Sequence, residues 1–435
     1  MSFAPFGKFN DGAKLPAAGG SPRRTSRQYT NHSTALLEKS TLLTLGGMLR
    51  LALIPLLLIP NLTRAAMQFD EDHQKQAADA IDAAIESHHC PGAVLLVGTK
   101  DGVLFKQAYG HRAFEPEDQA ARPMTVDTIF DLASLSKSIG CATSIMVLAD
   151  QGKLKVTDPV SKYIRAAATQ PDKKEITIEQ CLLHRAGFIP DNPMSDYENC
   201  AHEQMVEHLF ARKLKYEPGT DCVYSDMSFI VLGEVVKSAS GGESLDVFAK
   251  KHVFDPAGMK DTSYLPPAAW KDRIAPTEKR GGHWMIGEVH DPRAWALGGF
   301  AGHAGVFSTA DDVGRWCRML LNHGEIDGKR VLSAAIVEEM TKSRCMPDGK
   351  NCRGYGVDYT SNLSPAPRGT RFEPGTTYGH TGYTGTAYWI DPVHGCFYVL
   401  LTNRVNPDDK ATVTPLRRKI ATIVGEALLG KTKED

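Results

Sequence analysis

Apolar residues recur at different spacings along this chain, and each spacing predicts a type of element. From Phe69 to His88 they recur at helical spacing with few helix breakers, which indicates an amphipathic helix. Two short apolar runs then lie on either side of Lys100-Asp101-Gly102, and an Asp-Gly step is typical of a tight turn between antiparallel strands. A helix followed by a β-hairpin is therefore predicted here.

The middle and the end of the chain have other patterns. Helical spacing returns from Ser134 to about Leu154, with Gly152 at the position of a C-terminal cap. Residues 155 to about 297 hold helical stretches between clusters of Pro, Gly and Asn. After residue 298 come a capped helix, the β-rich runs TGTAYWID and CFYVLLTN, and a final helix from about Thr412 to Leu429.

This order of elements predicts an α+β fold. Residues 67–154 and about 298–430 are expected to form an antiparallel β-sheet flanked by helices, and about 155–297 an inserted, mostly helical domain. Strands from both ends of the chain would then share one sheet. A chain of 435 residues with 42% hydrophobic residues is long and apolar enough to bury such a core.

Residues 1–66 differ from the rest of the chain. The first 41 residues are rich in Ser, Thr and Gly and lack apolar periodicity, which is typical of disorder. From Leu49 to Ala66 the charge at Arg50, the apolar run and the final small residues have the layout of a secretory signal peptide. We therefore predict that residues 1–66 are a disordered N-terminus with a signal peptide and that residues 67–435 form the folded part. The signal peptide predicts export to a bacterial periplasm.

Alternatives stay open for this segment. Its Ser-Pro-Arg-Arg stretch is also compatible with twin-arginine export, and its basic, Ser-rich start with a mitochondrial transit peptide. The apolar run is too short to span a bilayer comfortably, and Pro55 interrupts it. No stable membrane span is expected in the mature chain, and a membrane-anchored form is the alternative.

Charge and cysteine content limit the classes of partner and site. The chain has 50 Lys and Arg residues against 51 Asp and Glu residues, so neither nucleic acid nor an anionic membrane surface is an expected partner. The nine cysteines lack the paired spacing of a zinc site. Cys345 with Cys352 and Cys200 with Cys222 are candidate disulfides, and isolated buried thiols are the alternative.

Two familiar hydrolase motifs are not met. HEQMVEH, residues 202–208, looks like part of a zinc-protease helix, but that motif needs histidines four positions apart. Histidines six apart lie about 240° around a helix from each other, so no metal site is predicted there. The sequence also lacks G-x-S-x-G, the nucleophile motif of α/β-hydrolases.

The stretch IFDLASLSKSIG is the first candidate for chemistry. Ser134 and Lys137 lie three positions apart, so on a helix they share one face within hydrogen-bond reach. Serine becomes a nucleophile when a base takes its proton, and lysine can be that base if its pKa is lowered. Ser136 points about 100° away from Lys137 and is a poorer partner. A polar helix face without catalysis is the alternative.

The second candidate is Tyr224-Ser225-Asp226, which follows a Pro-Gly turn and precedes a helix. The Tyr224 phenol can relay a proton between a serine and a leaving group. Asp226 can orient Lys137 or bind a substrate amide. As alternatives, Ser225 or Asp226 is the N-cap of the following helix and Tyr224 is a core aromatic.

The third candidate is His380-Thr381-Gly382, which opens a strand. Gly382 lets a substrate approach the backbone closely. The backbone N–H of Tyr383 is a candidate to form an oxyanion hole with the N–H of Ser134. A glycine-rich strand entry with a satisfied histidine is the alternative.

These three motifs in this order resemble the serine β-lactamase and penicillin-binding protein superfamily, in its class C β-lactamase branch. The resemblance extends over about Phe69 to Leu429 and includes DPVSKYI, LLHRAGF and YEPGTDCVYSD. The segments GEVHDPRAWALGGFAGHAGVFSTADD and YGHTGYTGT are most similar to the candidate periplasmic D-alanyl-D-alanine carboxypeptidases of the penicillin-binding protein 4B type.

The resemblance implies a role for each matching residue. Ser134 would be acylated, Lys137 would accept its proton, Tyr224 would act as base and then acid, and water would release the acyl group. Asp226 and residues 380–383 (His380, Thr381, Gly382 and Tyr383) would bind the substrate, a small peptide, a β-lactam or an ester. No metal or cofactor is implied.

Two departures from the family pattern affect the expected activity. His380 stands where many relatives have lysine, and a mostly neutral histidine would hold a substrate carboxylate less well. Asp226 stands where many relatives have asparagine, and its charge would favour a protonated Lys137, against the base role.

Three functions follow from the resemblance. The first is a D-alanyl-D-alanine carboxypeptidase-like enzyme acting on peptidoglycan peptides. The second is a β-lactamase-like esterase acting on small esters, and the third is a penicillin-binding or scaffold protein without turnover. His290, Asp291, Arg293 and His303 either line the mouth of the cleft or brace a glycine-rich loop, and both options stay open.

Overall fold

The computed structural model describes residues 67–114, 122–360 and 368–430. The predictions of a disordered N-terminus and a signal peptide in residues 1–66 lie outside the described residues. Within the described ranges, no helix combines the length and the apolar character needed to cross a membrane.

Helices and short helical turns occur along the whole described chain. The α-helices are α1 Glu71–Glu86, α2 Thr143–Asp150, α3 Arg165–Ala168, α4 Ile178–Leu182, α5 His202–Ala211, α6 Asp226–Ala239, α7 Leu245–Ala249, α8 Asp255–Ala257, α9 Pro292–Ala296, α10 Ala310–Leu321, α11 Ala334–Thr341 and α12 Thr414–Leu429. The strands are β1 Gly92–Thr99, β2 Gly102–Gly110, β3 Phe130–Asp131, β4 Lys279–Arg280, β5 His283–Trp284, β6 Phe307–Ser308, β7 Glu325–Ile326, β8 Lys329–Arg330, β9 Cys352–Gly354, β10 Val357–Thr360, β11 Tyr378–Thr381, β12 Ala387–Asp391 and β13 Cys396–Thr402.

A seven-stranded antiparallel sheet organises the fold, with the strand order β2-β1-β13-β12-β11-β10-β9. Strand β1 pairs with β13, so that Leu96 lies opposite Val399. The first and last parts of the chain therefore share one sheet, and the predicted fold class, an antiparallel sheet flanked by helices, is confirmed.

Both faces of the sheet are covered. Leu95 and Leu400 belong to an apolar cluster that also contains residues of α1 and α12, whereas Leu96 and Val399 belong to a larger cluster with residues of α2, α6 and α10. Because successive side chains of a strand point to opposite faces, burial on both sides requires continuous apolar runs. The sequences of β1 and β13 have this character.

The local predictions at the start of the sheet are confirmed. Helix α1 begins after Asp70, whose side chain accepts a hydrogen bond from the His73 N–H, and it buries Ala77, Ile81 and Ala84 along one face. The β1–β2 hairpin turns at Lys100 and Asp101.

Between residues 155 and 297 the regular structure is mainly helical, from α3 to α9, with the small β4–β5 hairpin. The division of the chain into domains at these bounds stays a prediction. Of the two candidate disulfides, Cys345–Cys352 is formed, whereas Cys200 and Cys222 are free thiols.

Leu400→Ala should destabilise the protein, because Leu400 is fully buried on a central strand. We expect the free energy of unfolding, measured by chemical denaturation, to fall by about 2–5 kcal/mol, since the truncation leaves a cavity. Val393→Ala is the control, because Val393 is 65% exposed and should change stability by less than about 0.5 kcal/mol. Equal effects of the two substitutions would contradict this account of the core.

Candidate active site

Ser134 lies in a turn between strand β3 and a long helical segment. Ala133 has a positive φ of 47°, and its N–H donates to the Asp131 carboxylate at 2.8 Å. Helical structure begins at Leu135, one residue later than predicted, and residues Lys137–Ala142 form a π-helical turn ahead of α2. The wide turn is a departure from the regular helix that the sequence predicts, and π-turns are frequent at functional sites.

Lys137 is fully buried, and its ammonium group meets three acceptors. Nζ lies 3.0 Å from Ser134 Oγ, 3.1 Å from the His303 carbonyl oxygen and 2.6 Å from Asp226 Oδ1. Burial opposes the charge, but the Asp226 carboxylate outweighs burial and raises the pKa of Lys137 above its ordinary value. Lys137 is therefore an ammonium ion in the resting site. As expected from Asp226, this charge opposes the role of Lys137 as a base.

Ser136 points elsewhere, as predicted. Its hydroxyl is fully buried and accepts a hydrogen bond from the Val306 N–H at 2.9 Å. Ser136 thus joins the helical segment to the chain just before β6, a structural contact away from Lys137.

Tyr224 stands beside Lys137, and Ser225 is the N-cap of α6. The Lys137 Nζ atom lies 4.8 Å from the centroid of the Tyr224 ring. Burial raises the pKa of Tyr224, although Lys137 partly opposes this, so the phenol keeps its proton at neutral pH. The Ser225 side chain accepts from the Ser228 N–H, which matches one alternative drawn from the sequence.

A network of charged groups continues from Asp226 away from Ser134. Burial and the neighbouring Asp226 carboxylate raise the pKa of Asp191 to about 6, and Arg293 Nη1 lies 3.4 Å from Asp191. His303, whose carbonyl oxygen contacts Lys137, places its Nε2 atom 2.8 Å from Asp291. Burial opposes the charge of Asp291, but His303 holds the pKa of Asp291 below its usual range.

His290 is separate from this network. Its N–H donates to Asp131 at 2.7 Å and its ring stacks on Tyr383 at 5.7 Å. Of the four residues whose role the sequence left open, Asp291, Arg293 and His303 join the charges behind Lys137, whereas His290 braces the segment that precedes Ser134.

Asp226, Asp291 and His303 hold potential metal-ligating atoms within 4.8 Å of one another. However, Asp226 already pairs with the Lys137 ammonium at 2.6 Å, and His303 Nε2 already contacts Asp291. A cation placed there would be repelled by Lys137, so the chemistry of this set suits an ion-pair network better than a metal site.

Strand β11 forms the opposite side of the site. His380 is buried, and its Nδ1 atom contacts the Thr381 carbonyl oxygen at 2.9 Å. Burial, followed by the charges of Arg353 and Lys137, holds the pKa of His380 well below its ordinary value. His380 is therefore neutral and cannot supply the cation that a lysine would supply there.

Gly382 is needed for packing within the chain. A Cβ atom there would collide with the Thr386 hydroxyl and the Leu132 carbonyl oxygen. The Thr386 hydroxyl donates to the Leu132 carbonyl oxygen at 2.9 Å, and the Gly382 N–H donates to the Thr386 carbonyl oxygen. This close contact fastens the end of β11 to the segment that carries Ser134.

The cavity that contains Ser134 is also lined by three arginines. The sequence motifs did not indicate them. The cavity has a volume of about 360 Å³, and its lining includes Ser134, Tyr224, Thr381, Gly382, Tyr383, Arg353, Arg404 and Arg417. These arginines come from β9, from the loop after β13 and from α12. Since they are distant in sequence and belong to no motif, the fold alone brings them together.

The three guanidinium groups differ in how many of their N–H donors have hydrogen-bond partners. Arg404 donates to the carbonyl oxygens of Tyr383, Asp409 and Ala411. Arg417 donates to those of Gly382 and Thr386, and burial lowers its pKa to about 10.

Arg417 has one nitrogen, Nε, without a hydrogen-bond partner among the described residues, whereas Arg353 has two such nitrogens. Arg353 is 1% exposed, and its Nη1 atom lies 3.3 Å from Asp358. Its Nε and Nη2 atoms have no hydrogen-bond partner among the described residues. Arg353 therefore lines the cavity with two buried nitrogens that have no partner among the described residues.

With this geometry established, comparison with known proteins identifies the family. The family model described as Beta-lactamase matches residues 77–422. The chain belongs to the β-lactamase family. As a member of this family it is a serine hydrolase, which the sequence motifs predicted.

Individual relatives agree with this placement. A candidate D-alanyl-D-alanine carboxypeptidase of Escherichia coli O157:H7 is 31% identical, over 72% of this chain and 78% of the relative. An N-acetylmuramyl-L-alanine amidase of Bacillus subtilis is 30% identical, over 74% of this chain and 80% of the relative. Among solved structures, a penicillin-binding protein homologue from Caulobacter crescentus has the same fold, with a TM-score of 0.65 and 19% identity, over 82% of this chain and 98% of the homologue.

Asp226→Asn should lower the pKa of Lys137, so that its neutral amine can accept the Ser134 proton at lower pH. The substitution removes the carboxylate that raises the pKa of Lys137, while burial, which lowers that pKa, remains. The acidic limb of the pH profile of kcat/KM for a p-nitrophenyl ester should therefore move to lower pH by about one unit or more. Asp408→Asn is the control, since Asp408 pairs with Lys410 at an exposed site. An unmoved acidic limb in the Asp226 variant would show that the ion pair does not set the charge of Lys137.

Proposed function

We propose that this serine hydrolase acts through an acyl-enzyme at Ser134 and that its substrates are D-alanyl peptides of peptidoglycan, cleaved in the manner of a D-alanyl-D-alanine carboxypeptidase. The observation that carries the substrate class is the arginine-lined cavity beside Ser134. Acyl transfer through a serine is the chemistry of the family, whereas the peptide substrate is specific to this proposal.

The proposed reaction begins with the charge of Lys137. The ammonium loses a proton to solvent against the pull of Asp226, 2.6 Å away, which leaves a neutral amine 3.0 Å from Ser134 Oγ. The Ser134 oxygen then attacks the carbonyl carbon and its proton passes to the amine. As the acyl bond breaks, Tyr224 donates its phenolic proton to the leaving nitrogen and regains a proton from Lys137. Water, activated in the same way, releases the acyl group.

Two further groups take part in the proposed site. The backbone N–H groups of Ser134 and Tyr383 would stabilise the oxyanion that develops on the carbonyl oxygen. His380, Thr381 and Gly382 would lie along the substrate, with Asp226 at its far side. These roles remain proposals drawn from the motifs and from the shared cavity.

The cavity supports a substrate that carries a carboxylate. A buried guanidinium with unused N–H donors binds a carboxylate through charge-assisted hydrogen bonds, often in pairs. Arg353 has such donors, and it lines the cavity that contains Ser134. It would therefore supply the cation that His380 does not supply. The volume of about 360 Å³ is within the range of small-ligand sites.

The names of the relatives agree with this substrate class. The two curated relatives are named for bonds of peptidoglycan peptides, D-alanyl-D-alanine in one and N-acetylmuramyl-L-alanine in the other. A periplasmic location, as proposed from the N-terminal sequence, would place the enzyme beside such substrates.

An esterase is the second candidate, because His380 is neutral and two of the three arginines are already engaged with backbone carbonyls. A site with little free positive charge suits uncharged esters.

To separate the two candidates, the wild-type protein should be incubated with an N-acylated D-alanyl-D-alanine peptide, with its C-terminal amide and with a p-nitrophenyl ester.

For this comparison we expect release of D-alanine from the peptide and a kcat/KM at least about tenfold higher for the free acid than for the amide, as a charge-assisted contact is lost in the amide. Ser134→Ala should lower all activities by at least about 10³-fold. Ester hydrolysis without peptide cleavage would favour the esterase, and stable acylation by penicillin without turnover would favour a penicillin-binding protein. Full activity in the Ser134 variant would refute the mechanism.

Arg353→Met should reduce kcat/KM for the free-acid peptide by about 10-fold to 10²-fold and leave ester hydrolysis within about threefold of the wild type, because charge-assisted hydrogen bonds to the carboxylate are lost. Arg330→Met is the control, since Arg330 is half-exposed and pairs with Glu325 on the surface.

Loss of the Asp358 partner could itself disturb the site, so Arg353→Met is also combined with Asp358→Asn. If Arg353 binds substrate, the double variant keeps the defect toward the free acid. Recovery of wild-type activity in the double variant would instead indicate that Arg353 only neutralises Asp358.

A further inference from the structure

His184 is a buried histidine that the proposed chemistry does not use. It follows α4, is fully buried and has a φ of 57°, in the left-handed region that is costly for a residue with a Cβ atom. Strained backbone of this kind persists where the surrounding contacts require it, and it is enriched near active sites. The contacts of His184 are therefore informative.

The backbone and the ring of His184 hold the residues on both sides of Tyr224. Its carbonyl oxygen accepts from the Val223 N–H at 3.1 Å, and its Nδ1 atom accepts from the Ser225 N–H at 3.0 Å. The Tyr216 hydroxyl donates to the same carbonyl oxygen at 2.9 Å. Two hydrogen bonds thus fix the backbone on either side of Tyr224, and the third holds the His184 carbonyl group in place.

The imidazole also contacts the Tyr224 ring directly. The ring centroids of His184 and Tyr224 lie 4.4 Å apart with an interplanar angle of 29°, and Phe229 borders His184 at 5.0 Å. Offset stacking at this distance restricts rotation of the tyrosine ring. His184 is therefore one of the groups that hold the plane of the phenol, at 4.4 Å against 6.1 Å for the His380 ring.

The hydrogen bonds define the charge and the tautomer of His184. Because Nδ1 accepts a backbone N–H, the ring proton is on Nε2. Burial, followed by the charges of Arg353 and Lys137, holds the pKa of His184 well below its ordinary value. A neutral ring adds no second cation beside Tyr224, so Lys137 is the charged partner over the phenol ring.

We infer that His184 is a positioning residue for Tyr224, fixing both the backbone that flanks this tyrosine and the plane of its ring. The inference rests on the proposed acyl-enzyme chemistry, in which Tyr224 transfers protons, and not on the identity of the acyl group. His184 contacts no reacting atom in this scheme and acts through Tyr224.

Two substitutions separate the contacts of His184. His184→Asn keeps a side-chain acceptor near the Ser225 N–H and tolerates the left-handed backbone, but it removes the ring. His184→Phe keeps a ring against Tyr224 and removes the acceptor. Each is made in the wild type and in Tyr224→Phe, and hydrolysis of a p-nitrophenyl ester is measured, so that the result is independent of peptide specificity.

With the wild-type Tyr224, we expect His184→Phe to lower kcat at least about tenfold with KM within about threefold, and His184→Asn to recover part of the loss, because a misplaced catalytic group lowers the rate more than binding. In the Tyr224→Phe background, each His184 substitution should change kcat by less than about twofold, since residues that act through one another are not additive.

The inference is overturned if His184→Phe retains the wild-type kcat, or if the loss in either variant persists undiminished without the Tyr224 hydroxyl. Should His184→Phe fail to fold, His184→Asn in both backgrounds decides the question in the same way. If Tyr224→Phe alone retains the wild-type kcat, the role of Tyr224 in the proposed function is wrong and the inference fails with it, a result distinct from the first two.

Discussion

The ion pair between Lys137 and Asp226 is the interaction on which the site depends. The Lys137 ammonium is fully buried, and a buried charge is tolerated only when its donors are satisfied and an opposite charge is close. The three acceptors come from distant parts of the chain: Ser134 from the turn after β3, Asp226 from the start of α6, and the His303 carbonyl oxygen from the loop before β6. One ammonium group therefore joins the three segments that build the site.

The same pair divides the site electrostatically. Behind Lys137, Asp226 and Asp191 form an acidic region with Arg293 as counter-charge. On the β11 side, the lining of the cavity includes Arg353, Arg404 and Arg417 together with Asp358, the ion-pair partner of Arg353. If the proposed function holds, a substrate carboxylate would be attracted to the three arginines, which outnumber Asp358 in the lining, and repelled by the acidic region behind Lys137. This asymmetry would orient a peptide across Ser134 even though His380 is neutral.

The features predicted from sequence are those set by local rules. The α1 helix, the β1–β2 hairpin and the proximity of Ser134 and Lys137 follow from spacing alone, and the family follows from three motifs in order. By contrast, Arg353 and Asp191 belong to no motif, because their relation to the site arises only when distant segments pack together. The π-helical turn at Lys137 was also missed, since its residues do not differ from those of a regular helix.

Two neutral histidines lie close to Tyr224, and in the proposed mechanism their lack of charge would set the direction of proton movement. The His184 ring lies 4.4 Å from the tyrosine ring and the His380 ring 6.1 Å, and burial keeps both imidazoles uncharged. A protonated histidine at either position would stabilise a tyrosinate and compete with Lys137. Because both are neutral, the phenol would keep its proton until a leaving group takes it, and in the proposed mechanism Lys137 would restore it. In the proposed mechanism, burial of the two histidines thus leaves Tyr224 as the proton donor to the leaving group, and the charged groups beside it are Lys137 and Asp226.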